Sequence, residues 1–274
     1  MKSSFIAWAV TIAAVFLVQI PASVPFVIIS IREHPVAGQI CMFIPPACSM
    51  LVLYLCVKYI HRERFAEIVT SRQKFDMRRF AFGTAVWFAL SALFIYISML
   101  LNPANTPVFT FRTEIFFPML AIALILLPLQ TSFEEIFFRG YLFKGIAALC
   151  NSRKAAVIFV AVIFAGMHMA NVEVDKFGAG VMFPQYLALG LSLGITAFVD
   201  DGLEIPMGMH FANNLFCLCF VASDSSTFTE TGAIFTLKDA ECTHTDTVLI
   251  LLLGILFLLL YKWKFKATFG KSIK

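Results

Sequence analysis

The sequence predicts an all-α protein, a polytopic membrane bundle of about eight transmembrane helices. Of its 274 residues, 60% are hydrophobic, 14% are charged and 31 are Phe. Soluble domains are nearer half apolar and about a quarter charged. Apolar runs follow one another along the whole chain, so the excess apolar surface indicates contact with lipid. Residues 1–274 are therefore expected to form a single integral membrane domain.

Eight apolar runs approach the roughly 20 residues that a helix needs to cross a bilayer. The first is too long for a secretory signal, so it is interpreted as a retained span, broken or tilted near Pro21 and Pro25. The charged segment 61–79 is interpreted as a cytoplasmic linker, either a solvated loop or a surface helix. The expected spans lie at about 5–30, 37–60, 80–101, 115–133, 155–170, 184–199, 205–222 and 245–261.

The basic residues predict an orientation with both termini in the cytoplasm, because Lys and Arg concentrate in cytoplasmic loops. Threading eight spans from a cytoplasmic N-terminus leaves four of the 21 basic residues on the other side: Arg32, Arg112, Lys176 and Lys238. The net charge of +4 then needs no nucleic acid as a partner. We expect the cytoplasmic excess, which includes Lys2, Lys271 and Lys274, to face anionic lipid headgroups.

Three charged residues, Glu134, Glu135 and Arg139, stand in an otherwise aromatic and aliphatic stretch. Charges inside a span persist when they are paired, hydrated or functional. Glu135 and Arg139 are four apart and share a helix face, whereas Glu134 is rotated away by about 100°. We therefore expect Arg139 to hold Glu135 and Glu134 to point into a cavity. A purely structural ion-pair network is the alternative that these residues leave open.

Two further pairs at the same spacing follow, Phe164 with His168 and His210 with Asn214. A hairpin turn at Asn151-Ser152 would bring Glu134 and His168 to the same level, although an isolated His near a span end is often only a packing residue. His210 lies about nine residues from the preceding turn, which favours the cytoplasmic half of the membrane.

A Glu near one His, together with a His/Asn pair, is typical of water activation and oxyanion stabilisation. Glu134 would take a proton from water, and His168 would position that water or protonate the leaving amine. His210 and Asn214 would donate to the oxyanion. There is no H-E-x-x-H motif, but Glu134, His168 and His210 could in principle bind Zn²⁺. The preferred interpretation requires no cofactor.

The three motifs, Glu134-Glu-x-x-x-Arg139, Phe164-x-x-x-His168 and His210-x-x-x-Asn214, resemble those of the CPBP family in order and spacing. These are the CAAX-processing and bacteriocin-processing intramembrane proteases, also called the Abi family. The resemblance covers about 115–220, the expected catalytic core. The sequence departs from some family members at Val172, where they carry Pro.

The resemblance implies a membrane endopeptidase in which Glu134 and His168 activate water and His210 and Asn214 form an oxyanion hole. Glu135, Arg139 and Phe164 would support them. It also implies a glutamate-dependent reaction in preference to a zinc-dependent one. The expected substrate is a membrane-associated peptide or protein, lipidated or not, and the expected location is a prokaryotic cell membrane.

Two other functions stay open at this point. A non-catalytic membrane interaction or immunity protein could retain the motifs for structural reasons. A transporter could use the Glu and His residues as a proton relay. Transporters commonly carry internal repeats, and none stands out in this sequence, so the transporter is the least favoured.

Overall fold

The computed structural model describes residues 4–29, 33–225, 227–228, 231–238 and 240–266, and these form a bundle of helices. Seven helical segments in this part of the chain are long and apolar enough to cross a bilayer. The chain is therefore an integral, multi-pass membrane protein, as predicted. The seven segments are Phe5–Ile28, Pro35–Tyr59, Met77–Leu101, Thr113–Cys150, Arg153–Ala170, Ala179–Asp200 and His244–Phe265.

The first segment is interrupted at Ser23, between the two prolines that predicted a break. The fourth segment is continuous through Pro118 and Pro128 and changes from α-helical to π-helical geometry at Ile136–Leu142. The α-helices are α1 (Phe5–Ala22), α2 (Val24–Ile28), α3 (Pro35–Met42), α4 (Ile44–Tyr59), α5 (Ala66–Val69), α6 (Met77–Leu101), α7 (Thr113–Glu135), α8 (Phe143–Cys150), α9 (Arg153–Met167), α10 (Val172–Phe177), α11 (Ala179–Asp200), α12 (Glu204–Leu215) and α13 (His244–Phe265).

The eighth predicted span corresponds to α12 and the π-helical turn Phe216–Phe220 that continues it. Twelve residues followed by five fall just short of the length that a span usually needs. The segment begins beside the linker, where Gly202 pairs with Thr70. It ends in a small sheet near the opposite end of α6. The eighth crossing and the sidedness of the termini remain predictions, and Lys2, Arg32, Lys271 and Lys274 lie outside the described residues.

That small sheet has three strands, β1 (Val108–Phe109), β2 (Val221–Ser223) and β3 (Phe235–Leu237). The central strand is β3, which runs antiparallel to β1 and parallel to β2. Because β1 belongs to the connection between α6 and α7, the sheet ties the end of the α12 segment to the start of α7.

The linker, residues 61–79, is a largely exposed loop with one short helix, as predicted, but part of it packs against the bundle, and its cytoplasmic location remains a prediction. Four-residue α5 is its only α-helix before α6 within the described residues, and the segment around it packs against the bundle. Ile68 and Thr70 are buried. We call the polar residues that attach the linker to the ends of α11 and α12 the linker clamp: Thr70, Arg72, Arg79, Asp200 and Glu204.

The linker clamp joins buried carboxylates to two arginines. Arg72 lies 3.1 Å from an Asp200 oxygen and 3.0 Å from a Glu204 oxygen, while Arg79 also pairs with Asp200. The Thr70 hydroxyl donates to the second Glu204 oxygen at 2.7 Å. These contacts join residues that are more than 120 positions apart in the sequence. No local sequence pattern predicts them.

The α9 helix begins as the sequence predicts, after a tight turn. Asn151 adopts left-handed backbone geometry, with φ of 49°, and ends α8. The Ser152 side chain then caps α9 by accepting a hydrogen bond from the Ala155 amide at 3.2 Å. The predicted hairpin at Asn151-Ser152 is therefore confirmed, and it returns the chain toward the level of Glu134.

Candidate active site

The three motifs lie at the ends of three different helices and meet in one cavity. Glu134 and Glu135 are the last two residues of α7, His168 directly follows α9, and His210 and Asn214 belong to α12. Both α7 and α12 continue as π-helical turns, which begin at Ile136, directly after Glu135, and at Phe216, two residues after Asn214. Such π segments are rare and often occur at functional sites.

Six polar side chains from α7, its π-helical extension and α12 form a connected group, which we call the site cluster: Gln130, Glu134, Glu135, Arg139, His210 and Asn214. They are linked by hydrogen bonds and ion pairs across the interface between the two helices.

The buried half of the site cluster contains the predicted ion pair. Arg139 donates from Nη1 to Glu135 Oε1 at 2.9 Å, and its Nη2 lies 3.4 Å from the Gly190 carbonyl oxygen. Glu135 is 0% exposed and Arg139 is 4% exposed, so neither charge could remain there alone. A Cβ at Gly190 would stand 3.2 Å from the Phe164 ring, so glycine lets α11 approach α9 closely.

His210 joins this pair from α12. Its Nδ1 lies 2.7 Å from Glu135 Oε1, the oxygen that also accepts from Arg139. A carboxylate accepts only, so Nδ1 carries the proton in this contact. The other ring nitrogen, Nε2, is 3.8 Å from Glu134 Oε2. His210 therefore bridges the two glutamates and turns Nε2 toward the cavity side.

Glu134 is held by one oxygen only. Gln130, one turn earlier on α7, donates to Glu134 Oε1 and accepts from Asn214 Nδ2 at 3.2 Å. The second oxygen, Oε2, is buried and has no hydrogen-bond partner among the described residues. Its side chain keeps 21% exposure, whereas Glu135 has none. The predicted division is confirmed, because Arg139 holds Glu135 and Glu134 lines a cavity.

His168 is fixed at the end of α9 by its own helix and two aromatic rings. Its Nδ1 donates to the Phe164 carbonyl oxygen at 2.8 Å, so Nε2 carries the lone pair. The ring lies between Phe164, with centroids 4.2 Å apart, and Tyr186, with centroids 4.6 Å apart. Phe164 is fully buried and also receives the Arg139 guanidinium over its face, at 4.2 Å.

Four residues of this region have no role predicted from the sequence: Asn171, Glu173, Tyr186 and Asn213. Asn213 lines the cavity and donates to Asn214 Oδ1 at 3.2 Å. Tyr186 donates to Glu173 at 2.5 Å and accepts from Asn171 at 2.9 Å. The only sequence signal for these contacts was the presence of polar residues in apolar runs, which names no partner.

The cavity has a volume of about 560 Å³, within the range of small-molecule and peptide sites. Its polar lining includes Glu134, His168, His210, Asn213 and Asn214, and apolar walls come from α3, α4, α6 and α11. Toward the small sheet the lining continues to Ser223 and Thr227. A chain of residues placed along it would contact both the site cluster and the segment after α12.

Fold and site together define a multi-pass membrane protein with paired glutamates, two histidines and an asparagine around one cavity. Residues 113–216 match the family model described as "Type II CAAX prenyl endopeptidase Rce1-like". The family predicted from the three motifs is thus confirmed over this region, which contains every predicted site residue. The match suggests a CAAX protease type of enzyme.

A curated relative agrees with this family. The chain is 31% identical over 184 residues to the uncharacterized protein YyaK of Bacillus subtilis (strain 168). The aligned region covers 67% of this chain and 61% of that protein, so it spans less than two thirds of the relative. The relative is consistent with a prokaryotic member of the CPBP family. No solved structure matches the chain.

Proposed function

We propose that the protein is an intramembrane endopeptidase that hydrolyses a peptide bond of a membrane-associated peptide or protein. One observation carries the proposal. Glu134, whose side chain is 21% exposed, lines a cavity that also contains His168, His210 and Asn214, and its buried Oε2 accepts no hydrogen bond from the described residues. A general base needs a carboxylate that is free to accept a proton beside a space for water.

In the proposed reaction, a water molecule in the cavity gives a proton to the Glu134 carboxylate as the water oxygen attacks the peptide carbonyl carbon. Gln130 restrains Oε1, so the open oxygen has a fixed direction. The Nε2 lone pair of His168 accepts from the same water and orients it. When the tetrahedral intermediate collapses, the proton passes to the leaving amine nitrogen, and the C–N bond breaks.

The oxyanion of that intermediate would be stabilised from α12. One Nδ2 proton of Asn214 is used on Gln130, and the other is available to the oxyanion. His210 donates to Glu135 through Nδ1, so it can donate from Nε2 only when the ring holds a second proton. Glu134 and Glu135 are the carboxylates that would face that positive charge.

The side chains do not fit a preformed zinc site. Across the described residues, no three His, Cys, Asp or Glu side chains converge as a metal-binding group. Glu134, His168 and His210 line one cavity, and the Nδ1 contacts of the two histidines leave only Nε2 of each as an atom that could bind a metal. We therefore derive no step through a metal and propose a glutamate-dependent reaction without a cofactor.

The proposed setting follows from the apolar surroundings. The cavity walls include Phe43, Pro45 and Leu189, which suit the apolar part of a membrane-embedded or lipidated substrate. We further propose a prokaryotic cell membrane as the location, anionic lipids as neighbours of the basic segments, and no nucleic-acid partner.

Reconstitution into vesicles with a panel of membrane peptides tests the proposal. Wild-type protein is expected to release defined fragments, and Glu134→Ala and His168→Ala are expected to lose cleavage while keeping the wild-type unfolding transition. Asn171→Ala, which changes a residue beside the cavity without a proposed chemical role, serves as a control for disturbance of the lining. Cleavage that survives Glu134→Ala would contradict the mechanism.

The same assay separates the alternatives. A non-catalytic partner protein would bind peptides without releasing fragments in wild type or variants. A zinc-dependent protease would lose activity after thorough chelation and regain it on addition of Zn²⁺, whereas the glutamate-dependent reaction is expected to continue in chelator.

A further inference from the structure

Tyr186, on α11, lines the cavity but takes no part in the proposed reaction. Its ring packs against the His168 imidazole, with centroids 4.6 Å apart, and Phe164 packs against the same imidazole at 4.2 Å. Phe164 belongs to α9, the helix that His168 directly follows, whereas Tyr186 comes from a different helix. Tyr186 therefore attaches the end of α9 to α11 at the histidine itself.

The position of His168 in the chain makes this second attachment important. The α9 helix ends at Met167, which is 44% exposed, and His168 begins a short 3₁₀ turn. The imidazole makes one hydrogen bond within the described chain, from Nδ1 to the Phe164 carbonyl oxygen. One bond at Nδ1 leaves the ring able to tilt, and tilting moves Nε2, the atom that orients water in the proposed reaction. A ring packed against the imidazole from another helix opposes that movement.

The Tyr186 ring is fixed in turn through its hydroxyl group. The hydroxyl donates to Glu173 Oε1 at 2.5 Å, a length typical of hydrogen bonds to an ionised carboxylate, which are about twice as strong as neutral ones. The Asn171 side chain donates to the same hydroxyl at 2.9 Å. The bond to Glu173 does not depend on Asn171, so the carboxylate is the main anchor of the tyrosine.

Glu173 is itself held from a third direction. It belongs to α10, which follows the turn that begins at His168, and its Oε2 accepts hydrogen bonds from the Thr227 amide at 3.1 Å and the Thr227 hydroxyl at 2.9 Å. Thr227 lies between β2 and β3, and β2 follows the helix that carries His210 and Asn214. Glu173 therefore connects the His168 side of the cavity to the chain that follows α12.

We propose that Tyr186 is a positioning residue for His168 and that Glu173 anchors Tyr186. The inference rests on the proposed function, because it gives Tyr186 the task of keeping His168 Nε2 directed at the water that attacks the peptide. Tyr186 exchanges no proton with the substrate, since its hydroxyl proton is donated to Glu173. Its contribution is made through the histidine alone.

Cleavage kinetics in vesicles separate positioning from a passive role in the cavity wall. Tyr186→Leu is expected to lower kcat by about tenfold or more with little change in KM, because it misplaces a group that acts in the transition state. Tyr186→Phe keeps the ring but loses the anchor, so its loss of kcat should be smaller. Tyr96→Leu, on α6 and outside the cavity lining, is the control and should match wild type. A raised KM with wild-type kcat in Tyr186→Leu would make Tyr186 a wall residue only and contradict the proposal.

A signal from His168 makes the test independent of cleavage. Nitrogen NMR of protein with isotope-labelled histidine reports which ring nitrogen carries the proton, and the His168 signals are assigned by their loss in His168→Asn. Wild type is expected to hold the proton on Nδ1, and Tyr186→Leu to show partial averaging of the two ring nitrogens. Tyr186→Phe gives the same comparison if the leucine variant does not fold.

The two measurements distinguish the possible failures. A His168 signal that depends on Tyr186 in a protein that releases no fragments would support the positioning and contradict the proposed function alone. Identical His168 signals in wild type and in the folded Tyr186 variant would overturn the positioning, whatever the cleavage rate.

Discussion

The linker clamp and the site cluster both bury two carboxylates, but they balance the charges differently. In the linker clamp, two arginines face Asp200 and Glu204. In the site cluster, a single Arg139 serves Glu135, and Glu134 receives only an amide donor and a distant His210. The linker clamp is neutral, whereas the site cluster keeps one negative charge unless His210 is protonated.

A carboxylate oxygen without a hydrogen-bond partner does not by itself mark a catalytic residue. Asp200 Oδ2 and Glu135 Oε2 lack partners as well, so an open oxygen alone is not diagnostic. What distinguishes Glu134 is that its open oxygen belongs to a residue lining the large cavity. Glu204, by contrast, is fully buried, and both of its oxygens accept hydrogen bonds.

The largest expected effect is on the free energy of unfolding. Loss of an arginine should matter more in the site cluster, which has one arginine, than in the linker clamp, which has two. Arg139→Met should lower the free energy of unfolding by about 3–5 kcal/mol, because it leaves Glu135 charged and buried with only the His210 hydrogen bond and no arginine. Arg79→Met in the linker clamp should cost only about 1 kcal/mol, because Arg79 is partly exposed and Arg72 remains. Denaturant unfolding in micelles measures both, and equal losses would contradict the comparison.

A second effect concerns the helix that joins the two groups, since α12 begins at the linker clamp and carries His210. A Cβ at Gly208 would collide with the Phe80 carbonyl oxygen of α6. Gly208→Ala should therefore destabilise the protein by about 1–3 kcal/mol, as overpacked interfaces do. Gly166→Ala is the matched control, because no atom lies within 4 Å of its added Cβ. Thermal unfolding of the two variants checks this, and equal midpoints would show that α12 can shift.

A third effect tests how the open oxygen of Glu134 is directed. Gln130→Leu removes the donor to Glu134 and the acceptor for Asn214, so kcat/KM should fall about tenfold, equivalent to about 1.4 kcal/mol. Gln185→Leu, on α11 and outside the cavity lining, should leave kcat/KM unchanged. If both variants matched wild type in peptide cleavage, Gln130 would have no positioning role.

The smallest expected effect is a pH dependence of stability that comes from His61, a buried residue outside both the linker clamp and the site cluster. Burial lowers the pKa of His61, and Glu63 opposes that shift only in part. In the unfolded chain His61 has its ordinary pKa of about 6.5, so it binds a proton at a higher pH there than in the folded protein. The free energy of unfolding therefore decreases as the pH falls below about 6.5. The free energy of unfolding measured from pH 7.5 to 5 should fall more steeply in wild type than in His61→Asn. Parallel curves would show that His61 does not titrate differently on unfolding.

Local sequence patterns predicted a good part of this site. The i,i+4 spacings identified the Glu135–Arg139 pair and the Phe164–His168 contact, and the Asn151-Ser152 turn set the register of the hairpin. These features depend on helix geometry over a few residues, which the chain specifies directly.

The remaining features depend on how distant segments approach one another. Gln130 meets Asn214 across 84 positions, and Arg72 meets Glu204 across 132. The π-helical turns depend on the packing of their surroundings, and the three-stranded sheet joins segments separated by more than 100 residues. No periodicity within one segment could have predicted such contacts.

The most direct test compares Glu134→Gln with Glu204→Gln in the same vesicles, with cleavage rate and unfolding measured on each. Both changes replace a carboxylate by an amide of equal size. Glu134→Gln is predicted to lower the cleavage rate by about 10²–10⁴-fold with an unchanged unfolding midpoint, because it removes the general base. Glu204→Gln is predicted to lower the midpoint while its folded fraction cleaves at the wild-type rate. Wild-type turnover by Glu134→Gln would contradict the central claim.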